Sequence, residues 1–223
     1  MESASSLNLS SNGRSEDSMA EPEISALILA AGSSSRTDGF KPLLRIGPQS
    51  ILEHALDLFC LPAIGEIVTV VGHRSEELIP ILRARQARFV LNENYRAGMF
   101  TSIQAGVTAL AGSCAGFFLL PVDIPLVRQE TIIQLLEAYA EDPTRTIIHP
   151  QYQGRCGHPP LISAKLFNPI LAHSGDGGLR ALLRTRRAEA LVLPVDDPLI
   201  LKDVDTTADL QILTDLYRQH REQ

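Results

Sequence analysis

The chain has no tryptophan, and cysteine occurs only at Cys60, Cys114 and Cys156. These three are far apart and none has CxxC spacing, so there is no zinc or disulfide framework, and a reducing cytoplasm suits them. No apolar run approaches the ~20 residues needed to cross a bilayer, so no membrane segment is expected. A surplus of basic residues is missing too. The formal net charge of −6 argues against a general nucleic-acid binder, because no basic face is advertised. The histidines form no i, i+4 pair with a carboxylate between them, which leaves a zinc-hydrolase reading without support. Neither a Gly-Lys-Ser/Thr loop nor GxGxxG follows the first apolar run.

What remains is ordinary for one globular unit. A hydrophobic share of 44% with 21% charged residues over 223 residues is enough for a single substantial core. The first 22 residues are rich in Ser, Asn and Glu and carry no apolar segment, so they are expected to be a disordered tail before a domain over 23–223. No repeat, linker or second-domain signal interrupts that span.

The stretch Ala26–Leu44 organises the rest. The run Ala26–Ala31 is short and apolar, as a buried strand is. It ends in Gly32-Ser33-Ser34-Ser35, followed by Arg36 and Lys41. Small residues directly after a buried strand let the backbone approach a ligand with its N–H groups exposed, which suits an anion. The two cations strengthen a phosphate-site reading. An ordinary βα turn with two solvated basic residues is the alternative.

Downstream, Ser50-Ile51-Leu52-Glu53 opens an amphipathic helix, Ile64–Val71 reads as a strand, and Ser75 to about Arg85 as a helix. Ala87–Leu91 reads as a short strand, and Met99-Phe100-Thr101-Ser102 leads into the next helix. Alternation of this kind implies βαβ units and a mostly parallel sheet, hence an α/β, doubly wound fold. Phe117–Leu120 is uninterrupted and apolar, as a strand covered on both faces is. Asp123 follows it, where ligands of doubly wound sheets sit. A carboxylate there is a natural ligand for Mg²⁺. The competing role is a helix N-cap, although more loop intervenes before a helix expected near Gln129.

Three later stretches carry polar residues in small-residue loops. In Gln153–Leu161, His158 is either a substrate contact or a satisfied structural histidine. In Ser174–Arg180, Asp176 has the chemistry of an N-cap, and the flanking glycines also permit close approach of a ligand. In Leu201–Leu210, a short strand is expected to end at Val204-Asp205, ahead of the C-terminal helix. Asp203 and Asp205 are both possible metal ligands, with Asp205 preferred as nearer the strand end; capping by Asp205 or Thr206 is the alternative.

Taken together, LAAGSSSRTDGFKPLL, GMFTSIQAG, LPVDIP, GHPPLI, GDGGLR and DVDTTADL stand in one order. The chain so resembles the nucleotidyltransferases acting on the molybdenum cofactor, from about Ile24 to the last helix. Leu29-Ala30-Ala31-Gly32 looks like the CTP-dependent molybdopterin cytidylyltransferase branch; the guanylyltransferase branch usually has two glycines at Ala31-Gly32.

The resemblance implies a Rossmann-like fold of the nucleotide-diphospho-sugar transferase type. It implies transfer of CMP from CTP to molybdopterin, with release of pyrophosphate and dependence on Mg²⁺ or Mn²⁺. Leu29, Ala30, Ala31, Gly32, Ser33, Ser34, Arg36 and Lys41 would then bind the nucleotide. Arg36, Lys41 and Asp123 would be catalytic, and Asp123 with Asp205 would hold the metal. Ser102, His158 and Asp176 would face the acceptor. Because the acceptor's phosphate is already ionised, no Ser/His/Asp nucleophile is needed. A molybdenum hydroxylase apo-enzyme is the partner this function implies.

Two features depart from the family pattern. Thr37-Asp38 replaces the usual Met-Gly after Arg36, and Cys156 precedes Gly157-His158-Pro159. The same chemistry with GTP or another phosphorylated acceptor, and a non-catalytic molybdopterin carrier, are the alternative functions.

Overall fold

The computed structural model describes residues 23–33 and 39–221. The expected tail, and Ser34, Ser35, Arg36, Thr37 and Asp38 of the first loop, lie outside the described residues.

The first strand, β1 (Ile24–Ala30), is buried along its whole length. Its side chains alternate between the two faces of the sheet, as a period of two requires. Ala26, Ile28 and Ala30 enter one apolar cluster, and Leu27 and Leu29 enter the other. A strand with no polar face must be covered on both sides, and this one lies at the centre of the sheet.

After β1 come α1 (Ile51–Leu58), β2 (Ile64–Val71), α2 (Ser75–Ala84), β3 (Arg88–Leu91), α3 (Met99–Leu110), β4 (Gly116–Pro121) and α4 (Gln129–Glu141). Then follow β5 (Ile147–Tyr152), β6 (Arg155–Cys156), β7 (Leu161–Ser163), α5 (Phe167–Ala172), α6 (Gly178–Thr185), β8 (Ala190–Pro194) and α7 (Thr207–Arg221). The spatial order is β8-β5-β7-β4-β1-β2-β3, with β6 paired to β5. Pairings of β1 with β2 and β4, of β2 with β3, and of β5 with β8 are parallel. The expected doubly wound, mostly parallel architecture is therefore present. The chain turns from β1 towards β2 on one side and β4 on the other, so the crevice at their carboxyl ends is the switch point where such folds bind ligands.

Local chemistry agrees with these elements. Ser50 caps α1 in a reciprocal box: the Glu53 N–H donates to the Ser50 hydroxyl at 3.3 Å, and the Ser50 N–H donates to the Glu53 carboxylate at 2.8 Å. Helix α3 lies so close to β1 that a Cβ on Gly106 would stand 2.7 Å from Leu27 Cδ2. Glycine at that position lets the two backbones approach.

Two expectations change. Residues 201–205 do not form a strand. The segment crosses over the sheet end, where the Val204 N–H donates to the Asp123 carbonyl at 2.8 Å. The buried Val204 side chain anchors it from inside the core. Residues 147–194 add strands that period and length do not announce: β7 has three residues, and Pro150 interrupts β5. Wedged between β4 and β5, β7 runs antiparallel to both.

Candidate active site

The crevice begins at the end of β1. Leu29, Ala30, Ala31, Gly32 and Ser33 line a pocket of about 260 Å³. Opposite them stand Lys41, Pro42, Tyr95, Met99, Ser102 and the Pro121–Asp123 turn after β4. The nucleotide residues named from the sequence that are described, together with Asp123 and Ser102, therefore share one pocket.

Lys41 reaches it because the chain on either side is anchored. Phe40 is buried and packs edge-on against His73 at 5.7 Å, with the Arg74 guanidinium 4.8 Å above its ring. A single 3-10 turn, Lys41–Leu43, then projects the lysine inward, where it is only 8% exposed. A buried ammonium needs partners. Its Nζ donates to Asp205 Oδ1 at 2.6 Å and lies 3.5 Å from Asp123 Oδ2.

The two carboxylates chosen as metal ligands thus meet at one cation. The capping of α7 falls to neighbours of Asp205. The Asp209 N–H donates to the Thr206 hydroxyl at 3.2 Å, and the Thr206 N–H donates to the Asp209 carboxylate at 2.8 Å. Asp203, the less favoured of the two candidates, is exposed, but its charge still acts on Asp123. Burial pushes the Asp123 carboxyl above the ordinary aspartate range; the Lys41 charge and hydrogen bond oppose that shift, and Asp203 adds to it. Such a site favours any cation that keeps the carboxylate ionised.

Those two carboxylates fit a hard divalent ion, which takes one or two protein carboxylates and completes its shell with substrate phosphates. Among the described residues no cluster of three or more His, Cys, Asp or Glu could hold a metal without that help.

On the β3 side, Asn92 is 5% exposed and braces the pocket wall. Its amide donates to Thr101 Oγ1 and Ser102 Oγ, both at 2.9 Å, and its carbonyl oxygen accepts the Asn94 N–H at 2.9 Å. The backbone turns into α3 at Gly98, whose φ of +112° is one that residues with a Cβ rarely adopt.

A second cavity, of about 970 Å³, adjoins the first and shares Leu29, Met99 and Pro121 with it. His158 lies here with its Nδ1 buried and unpartnered, beside His149 on β5. Burial pushes both imidazoles below the usual histidine range, so each is held neutral; for His158, a Leu119 backbone bond and the charges of Asp123 and Asp203 oppose the shift. Asp176 lines neither space. Its carboxylate accepts the Ser174 hydroxyl at 3.0 Å, and the N-cap of α6 is Gly177, so the expected capping role is not filled. Nothing in the local sequence pattern marks Asn92, Tyr95 or His149 as parts of these walls. Only GDGGLR, which ends at Arg180, hinted at the α6 side of the larger cavity. A separate groove of about 540 Å³ lies beside α4 and α7, and its buried carboxylate, Asp197, is engaged in capping α4 through the Arg128 N–H and the Thr131 hydroxyl.

Residues 26–191 match the MobA-like NTP transferase domain. The chain belongs to this family. A MobA-like transferase is a nucleotidyltransferase by family, and the pocket at the end of β1 lies within the matched span. The chain is 27% identical over 196 residues to nicotine blue oxidoreductase of Paenarthrobacter nicotinovorans, spanning 85% of this chain and 95% of that one. It is 31% identical over 138 residues to the bifunctional protein GlmU of Corynebacterium diphtheriae, and covers 28% of that longer protein.

Solved structures share the fold. Rv0371c of Mycobacterium tuberculosis superposes with a TM-score of 0.76 at 24% identity, covering 88% of this chain and all of that one. The same protein has been solved in complex with manganese. Molybdopterin-guanine dinucleotide biosynthesis protein A of Archaeoglobus fulgidus superposes with a TM-score of 0.67 at 16% identity, over 88% and 100% of the two chains. No described helix is long and apolar enough to cross a membrane.

Proposed function

We propose that this MobA-like protein transfers CMP from CTP to the terminal phosphate of molybdopterin and releases pyrophosphate. One observation carries the reading: the small pocket bearing Lys41 and Asp123 opens beside a larger, mainly apolar cavity across the shared residues Leu29, Met99 and Pro121. Two substrates of unlike size and polarity can meet there. The apolar lining favours a multi-ring acceptor over an alditol phosphate.

In this mechanism an oxygen of the acceptor phosphate attacks the α-phosphorus of CTP. The bond from that phosphorus to the β-phosphate oxygen breaks, and pyrophosphate departs with the electron pair. Such transfer depends mainly on positioning and charge neutralisation. Backbone N–H groups at Gly32 and Ser33 border the pocket and cradle the triphosphate, with Arg36 as a further cation. Lys41 neutralises charge on the reacting phosphates. Ala30 and Ala31, both buried, narrow the base end of the pocket and disfavour a purine. Asp123 and Asp205 would hold Mg²⁺ or Mn²⁺, which when bound serves as Lewis acid and template. Ser102, expected from the resemblance to face the acceptor, lines the smaller pocket instead and so positions the nucleotide, while His158 contacts the acceptor. The reading places the reaction in the cytoplasm and hands the product to a molybdenum hydroxylase apo-enzyme.

The test supplies CTP, GTP, ATP and UTP separately with Mg²⁺ and molybdopterin, and follows pyrophosphate. Release with CTP alone is expected, and Asp123→Asn should lower it by at least ~10²-fold, as loss of a group stabilising the transition state does. Release with GTP alone would overturn the CTP assignment. Silence with all four, from a folded protein that still binds molybdopterin, would make it a carrier.

A further inference from the structure

The lining of the 970 Å³ cavity contains Arg180, Arg184 and Arg187 and no Asp or Glu. In a chain of net charge −6 that segregation is a feature of this cavity rather than of the composition. Arg180 and Arg184 are one turn apart on α6, and Arg187 opens the 3-10 turn two residues past its end. Leu179, Leu182 and Leu183 of the same helix pack against the core and fix its orientation.

Several other arginines of the chain are paired with acids. Arg85, Arg88, Arg145 and Arg186 have carboxylates at 2.6, 2.9, 2.7 and 3.3 Å. No carboxylate of a described residue lies within ion-pair distance of the three that face the cavity. The floor beneath them is apolar (Leu29, Phe100, Ile103, Leu119), with the two neutral imidazoles at its edge.

A solvated basic face would show no such coincidence of apolar floor, cationic rim and missing acids. Guanidinium groups recognise carboxylate, sulfonate or phosphate oxygens in pairs, and an apolar floor accepts a ring system. The reacting phosphate belongs at the other end, beside Lys41 and Asp123. We propose that Arg180, Arg184 and Arg187 bind an anionic group of the acceptor other than the reacting phosphate. This rests on the transferase reading for the identity of the acceptor, but not for the existence of the site. The acceptor class is thus a ring system that carries a second anion besides its phosphate.

The test uses two dyes with one aromatic body: 1-anilinonaphthalene-8-sulfonate, which is anionic, and N-phenyl-1-naphthylamine, which is neutral. Fluorescence titration of the full chain should show the anionic dye bound at least ~10-fold more tightly. The triple variant Arg180→Gln, Arg184→Gln, Arg187→Gln changes only exposed side chains. It should lose that preference while still binding the neutral dye. Equal affinity of the native chain for the two dyes, no binding of either, or a preference that survives in the variant would each overturn the proposal. In parallel, the variant should raise KM for molybdopterin at least ~10-fold with KM for CTP unchanged. A preference abolished in the variant, from a chain that releases no pyrophosphate with any nucleotide, would uphold the anion site and refute the transferase reading alone.

Discussion

Replacing Lys41 by Met tests the charge arrangement at the pocket directly. In the native fold one ammonium serves two carboxylates, at 2.6 and 3.5 Å. At an effective dielectric near 20, a unit pair at the longer distance attracts by about 5 kcal/mol before desolvation is counted. Breaking a buried pair by removing one partner typically costs about 3–5 kcal/mol, because an uncompensated charge stays behind. Here the carboxylates retain 29% and 32% side-chain exposure, so water recovers part of that loss. The expected destabilisation at neutral pH is about 2–3 kcal/mol, or roughly a 1 M fall in urea midpoint for a slope of ~2–3 kcal/mol per M.

The sign of the pH dependence follows. Burial already raises the Asp123 carboxyl against the pull of Lys41, and without the lysine it rises further. The folded variant then binds more protons than its unfolded chain, so the penalty must shrink on acidification. Mn²⁺ should restore much of the lost stability, since it can take the place of the ammonium between the same two carboxylates. A midpoint shift below ~0.3 M, or a penalty that grows as the pH falls, would refute the reasoning.

Asn92→Ala removes the donor shared by Thr101 and Ser102 and leaves the Asn94 N–H without its acceptor. It should cost about 1–3 kcal/mol in urea unfolding and raise KM for the nucleotide more than it lowers kcat; an unchanged KM would remove Asn92 from the pocket wall. Gly106→Ala should destabilise by about 1–3 kcal/mol despite alanine's higher helix propensity, because its methyl would meet Leu27; a raised Tm would contradict the packing. His149 and His158 are both held below the ordinary value of 6.5, so the unfolded chain takes up protons first as pH falls. The urea midpoint should therefore drop between about pH 7.5 and about pH 5.5, and His158→Gln should flatten that slope; an identical slope would mean that His158 titrates normally.

The course of the chain as far as α4 is written in local pattern. β2 spans Ile64–Val71 as its β-branched run indicates, and α1 starts at the Ser50 cap with Glu53 three residues on. β1 is buried at every residue, and all but Ser25 are apolar, because both its faces are covered, and that places it mid-sheet. The small residues after it line the pocket in the crevice, as their place after a buried strand led one to expect. These are short-range properties of residue type and spacing, so they survive in a one-dimensional string.

The placement of Asp205 is different in kind. It lies 164 residues from Lys41 in the chain, and only the crossing segment held by Val204 and the Asp123 carbonyl brings the two together. The strand end that favoured Asp205 over Asp203 does not form, so local pattern does not separate the two, nor Asp205 from the capping that Thr206 and Asp209 take over. Likewise, three arginines on a helix read as a solvated face until tertiary packing sets them over an apolar cavity without acids. Strand β7, three residues long, exists because β4 and β5 flank it rather than because its sequence demands it. The sequence by itself determined the elements as far as α4, the burial of β1, and the small-residue turn at its end. The tertiary structure decided which charges face one another, because a Coulomb contact depends on distance in space and the string records only distance along the chain.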